Sequence, residues 1–75
     1  MDNYELKDLY LSSLLYSEGI KFIGINKRNN VCWFVFEDKK KCEEIIQLYW
    51  KNELTGKIKA FTDAIRTLKD MIYSQ

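Results

Sequence analysis

Six consecutive residues, Val31-Cys32-Trp33-Phe34-Val35-Phe36, constrain this chain more than any other feature. They are β-branched, aromatic or small and apolar, the composition of a strand. Alternation along a strand then places apolar side chains on both of its faces. Such a strand wants cover on both sides, as in the interior of a large protein. This chain has only 75 residues, and a domain of that order buries only about 60% of the surface its unfolded form exposes. Either the small fold covers both sides, or one side is kept for a partner.

The strand is the second arm of a β-hairpin. Ile20 to Lys27 supplies the first arm and Arg28-Asn29-Asn30 the turn, since Asn tolerates the positive φ of tight hairpins. A two-residue loop at 28–29 or at 29–30 sorts the side chains alike. One face receives Ile23, Ile25, Cys32, Phe34 and Phe36, the cleaner core face. The other receives Phe22, Gly24, Asn26, Val31, Trp33 and Val35. Gly24 falls close to Trp33 or Val35, where a missing side chain leaves room for an indole or an external group.

Three helices complete the chain. The spacing predicts the first over residues 3–18: Asp2 caps it with Glu5 three residues later, and Leu6, Leu9, Tyr10 and Leu14 follow at helical intervals. Gly19 ends it in the left-handed conformation, with Ile20 placed to touch Leu15. The second begins at Asp38, carries Cys42, Ile45, Ile46 and Tyr49 as an apolar stripe, and ends near Lys51-Asn52. The third repeats Ile58, Phe61, Ile65, Leu68 and Ile72 at intervals of three and four, with Ala64 and Met71 widening the stripe. The expectation is a single α+β domain over residues 1–75 in the order α-β-β-α-α, an antiparallel two-stranded hairpin packed with three helices.

Chemistry is sparse. His is absent, which removes the commonest general base. Glu43-Glu44 are adjacent on a helix and do not face each other, and Glu37-Asp38 reads as a strand end and a helix cap. Cys32 and Cys42 are the only cysteines. Without His they make no credible zinc site, and both suit small core positions. Gly19, Gly24 and Gly56 stand too far apart for a phosphate loop. No enzyme, metal or cofactor is expected. Met1 leads into an acidic segment rather than a basic and then apolar one, and no apolar run approaches the ~18 residues of a membrane span. The expected location is the cytoplasm, with both thiols reduced.

The net charge is only +1, which disfavours strong non-specific nucleic-acid binding. Its distribution is uneven: residues 1–20 sum to −3 and residues 21–41 to +4. Lys39-Lys40-Lys41 in the first turn of a helix oppose its macrodipole. With Lys27 and Arg28 they compose a basic edge able to meet phosphates or an acidic protein. Lys59, Arg66 and Lys69 form a second basic stripe on the third helix, interleaved with Asp63 and Asp70 as on a solvated face. Aromatics reach 15%, enough for a compact core or a contact surface. The candidate partner-binding residues are Phe22, Gly24, Val31, Trp33, Val35 and Trp50. The alternative, a nucleic-acid-associated regulator, would use Lys27, Arg28, Lys39, Lys40, Lys41, Lys59, Arg66 and Lys69.

Phe22-Ile23-Gly24-Ile25, Cys32-Trp33-Phe34-Val35-Phe36-Glu37-Asp38, Tyr49-Trp50-Lys51-Asn52-Glu53 and Ala60-Phe61-Thr62-Asp63-Ala64-Ile65-Arg66-Thr67-Leu68-Lys69 resemble a family of short proteins grouped as a domain of unknown function. The family is found in bacteriophages and integrated elements of Gram-positive bacteria. The resemblance spans about the whole chain, rests on core and turn residues, and carries over no catalytic or binding residues. It implies a mobile-element accessory protein of the bacterial cytoplasm. The resulting expectation is a non-enzymatic interaction protein that binds a host or phage protein, such as host-defence or replication machinery, and is compatible with a homodimer.

Overall fold

The strand that is apolar on both faces is the middle strand of a sheet. A computed structural model describes residues 2–74. Its elements are β1 (Asn3–Leu6), α1 (Leu9–Ser17), β2 (Phe22–Arg28), β3 (Val31–Glu37), α2 (Lys39–Trp50) and α3 (Ile58–Tyr73). The sheet is antiparallel with strand order β1-β3-β2. The class is the expected α+β, but the sheet has three strands rather than two.

The extra strand comes from the start of the expected first helix. Tyr4 lies opposite Phe36, and Leu6 opposite Phe34. This period-two alternation of Tyr4 and Leu6 puts both beside the core aromatics of β3, while Glu5 points the other way. The helix therefore begins later, and Asp8 caps it, Oδ1 accepting the Leu11 N–H at 2.9 Å. Asp2 instead offers its backbone carbonyl to the N–H of Lys39 at 3.1 Å. Asp2/Glu5 and Asp8/Leu11 are equally plausible starts in one dimension. Only the unpaired edge of β3 chooses between them, because its backbone donors and acceptors need a second neighbour.

The helix ends follow the local signals. Gly19 has φ +85°, the Gly19 N–H bonds Tyr16 O, and the Ile20 N–H bonds Leu15 O, both at 3.2 Å. These two bonds make the Schellman closure expected there. Asn52 closes α2 the same way with φ 61°, its N–H reaching Tyr49 O while that of Glu53 reaches Leu48 O, both at 3.0 Å. In the hairpin, Arg28 pairs with Val31, so the loop is Asn29-Asn30, both with positive φ of 52° and 65°. That is the two-residue turn whose twist matches the strands.

The expected sorting of faces holds along β3 and fails at the start of β2. A bulge between Phe22 and Gly24 sets Phe22 opposite Phe36 but Gly24 opposite Val35. Ile23 is the extra residue and is 48% exposed. Phe22 moves to the core face, its ring 5.3 Å from Phe36 and 5.8 Å from Tyr16. Gly24 adopts φ +157°, and a Cβ there would meet nothing within 4 Å. The glycine thus serves the backbone of the bulge, not the close approach expected of it.

The core is one cluster of Leu6, Leu15, Ile20, Phe34, Phe36, Cys42, Ile46 and Leu68. It lies between one face of the sheet and the helices. α1 packs chiefly on α3, with Ser12 and Ser13 of the one and Ala64 of the other buried. Ser13 Oγ donates to Leu9 O at 2.7 Å, but Ser12 Oγ has no partner among the described residues. An unmet buried hydroxyl costs on the order of 1–3 kcal/mol. Ser12→Ala is therefore expected to be neutral or to stabilise by about 1 kcal/mol, read as an unchanged or higher urea midpoint. A lower midpoint would show that the hydroxyl is satisfied in solution.

Candidate interaction site

All buried side chains of β3 lie at its even positions, and none of Val31, Trp33 and Val35 belongs to the core or to the side chains packed against it. α3, the helix that could have covered Trp33, supplies Leu68, Met71 and Ile72 to the opposite side of the sheet. The second face is therefore left without helical cover. An antiparallel sheet commonly keeps one face in water, but that face is then polar. Here its central strand presents two valines and a tryptophan.

The polar side chains around this apolar line come from both outer strands. Glu5 stands opposite Val35 on β1, Arg28 opposite Val31 on β2, and Trp33 opposite Asn26 between them. Arg28 Nη2 donates to Glu5 Oε1 at 3.0 Å, and Asn26 Nδ2 donates to Glu5 Oε2 at 3.4 Å. These bonds run across β3. The Arg28 guanidinium lies 4.9 Å from the Trp33 ring centroid and the Lys7 ammonium 5.9 Å, both within reach of the ring quadrupole. Trp33 is consequently half-buried, covered by flexible charged side chains rather than by packed structure. At the end of the face Lys21 pairs with Glu37 at 3.4 Å.

Of the residues expected at a partner site, Val31, Trp33 and Val35 are brought together, and Gly24 flanks them. Phe22 lies with the core, and Trp50 sits elsewhere, 66% exposed at the end of α2. Sequence reasoning missed Glu5 and Lys7, which it had assigned to a helix. The alternation Tyr4, Glu5, Leu6 is the signal that could have found them. The basic edge does not assemble. Lys27 and Arg28 adjoin the hairpin turn while Lys39, Lys40 and Lys41 follow the far end of β3, about 20 Å away at roughly 3.3 Å per residue. Arg28 is paired with Glu5 and Lys59 with Asp63, the latter at 2.9 Å. Arg66 and Lys69 are exposed on α3.

The core side of the sheet holds two groups whose ionisation folding opposes. Burial, and then the Asp38 carboxylate, pushes the Cys42 thiol up from 9.0 to about 11. The thiol is fully buried and donates toward Glu37 O at 3.5 Å, so it behaves as an inert core residue. Burial, with Glu43 next, also raises the Tyr4 phenol above 10.0. Both groups are held neutral by folding. Their contribution is present in full below their ordinary values and is lost as pH rises through the raised ones. Stability is thus expected to fall between about pH 9 and about pH 11, and to fall less steeply in Cys42→Ala. Equal slopes in urea titrations of the two proteins would remove Cys42 as a cause. Among the described residues no group of three or more acidic, His or Cys side chains could hold a metal, and no helix is long and apolar enough to cross a membrane.

This is a small α+β domain with its helices on one side of a three-stranded sheet and an apolar line open on the other. The chain belongs to the family described as Domain of unknown function (DUF5659), which matches residues 1–74. No match was found among curated proteins or among solved structures.

Proposed function

We propose that this protein is a non-enzymatic interaction module that docks a protein partner on the open sheet face, with Trp33 as the anchor and Val31 and Val35 as its apolar flanks. The observation that carries this reading is the apolar centre of a face that no helix covers. Trp is a favoured anchor in protein interfaces, and a ring of polar groups around it keeps water out of the contact. Glu5, Asn26, Arg28 and Lys7 are placed to serve as that rim. The resemblance to proteins of phages and integrated elements supports a cytoplasmic setting in a bacterial host, with a host or phage protein as the partner. Host-defence or replication machinery is the class such a setting suggests.

The test compares wild type with Trp33→Ala in capture from host extract, followed by mass-spectrometric identification. A protein retained by wild type and lost by a folded Trp33→Ala variant is the expected result. Identical capture by both would discard the sheet face as the docking surface.

A second reading is supported by the cations over the indole. A base could stack on Trp33 with its phosphates met by Lys7 and Arg28. Its signature is an affinity for single strands that falls steeply with salt. No binding at low salt would remove it, and the Glu5 carboxylate in the middle of the face argues for the protein partner.

A further inference from the structure

The molecule has a second apolar surface, independent of the sheet face. A groove of about 520 Å³ lies where the end of α1, the end of α2 and the start of α3 converge, with Leu14, Tyr49, Leu54, Ile58 and Phe61 in its walls. Ile58 is 83% exposed although it opens the apolar stripe of α3, and Trp50 beside the groove is 66% exposed. The Trp50 ring meets that of Tyr49, a residue of the groove wall, edge-on at 5.2 Å, and Trp50 is not itself part of that wall. An apolar projection and an apolar recess thus share one surface.

Two charges on the rim bear on what fills it. Glu18 and Lys57 both line the groove, and neither takes part in an ion pair among the described residues. A two-fold contact requires a patch complementary to itself, so that each feature meets its counterpart on the other copy. This patch carries both members of each complementary set: projection with recess, and anion with cation. A chain of this length also gains from association, because its own core is small.

We propose that two copies of this chain associate about a two-fold axis passing between Trp50 and the groove, each Trp50 seated in the groove of the other copy and each Glu18 facing the other copy's Lys57. The sheet faces stay free, so the assembly displays two copies of the Trp33 surface.

Sedimentation equilibrium of the full chain over a wide concentration range tests this. The mass is expected to rise from 9.0 kDa toward twice that value. Trp50→Ala and Ile58→Asp change exposed side chains, so far-UV circular dichroism should remain that of the folded protein while the dimer is lost. Glu18→Lys should weaken association by at least about tenfold, because like charges then face each other twice across the axis. Adding Lys57→Glu to it should restore the dimer. That rescue is the decisive readout when the urea midpoint of Glu18→Lys matches wild type, since both residues line one groove of a single chain and a changed midpoint would place the repulsion within the chain and overturn the pairing across the axis. A mass of one chain at every concentration overturns the proposal. So does a dimer indifferent to Trp50→Ala, or one abolished by Trp33→Ala, which would assign self-association to the sheet face instead.

Discussion

Phe36→Ala is expected to destabilise the protein by about 3–5 kcal/mol, enough to leave a large fraction unfolded at room temperature. Phe36 is fully buried. It joins five other elements at once, lying opposite Tyr4 of β1 and Phe22 of β2 and inside the cluster with Leu15 of α1, Cys42 of α2 and Leu68 of α3. Its removal leaves a cavity at a place where both sheet edges and the helices meet. Domains of this size have only a few kcal/mol of stability to lose. Urea denaturation followed by far-UV circular dichroism measures the change. Trp33→Ala is the internal control. On the same strand but the other face, it removes the contacts with Arg28 and Lys7 and no core packing, and should cost about 1–2 kcal/mol. Equal losses from the two substitutions would mean that Trp33 is core and that the open face is misplaced.

Leu6→Ala is expected to cost about 2–5 kcal/mol, with an added local effect. β1 has only four residues and touches the core through Tyr4 and Leu6 alone. Truncating Leu6 removes one of these two attachments and should let the strand detach before the rest unfolds. Hydrogen exchange should then accelerate in β1 ahead of β2. The outer face would change with it, because Glu5 would no longer hold Arg28 and Asn26 across β3. A loss under about 1 kcal/mol, with exchange in β1 unaltered, would show that the third strand contributes nothing to the core.

The two substitutions mark different depths of legibility. Phe36 could be placed in the core from alternation along its own strand and the apolar face it shares with Ile25 across the hairpin, without knowing which helices cover it. Leu6 could not. Its spacing to Leu9 and Tyr10 fits a helix, and its spacing to Tyr4 fits a strand. Local pattern cannot arbitrate when both periods fit so short a segment. Phe22 failed for another reason. A bulge shifts register by one residue and exchanges the two faces from that point on, and its trace in the sequence is Gly24, which takes a positive φ in the structure. The site followed these elements. Trp33, Val31 and Val35 were placed on a common face because β3 is regular. Glu5 and Lys7 were missed because β1 was.

By itself the sequence determined a tight hairpin turn within Arg28-Asn29-Asn30, the closure of α1 at Gly19-Ile20, the helices α2 and α3 and the core positions Phe34 and Phe36 of β3. Each follows from interactions within a few residues of chain, where backbone conformation and side-chain period leave little choice. Only the tertiary structure decided which segment pairs with the free edge of β3, which two residues form the hairpin turn, that no helix covers the Val31, Trp33 and Val35 face of that strand, and that Lys27 and Lys39 lie at opposite ends of the sheet. Those outcomes depend on contacts between residues distant along the chain, and they are set by competition for backbone hydrogen bonds and buried area that no local pattern records.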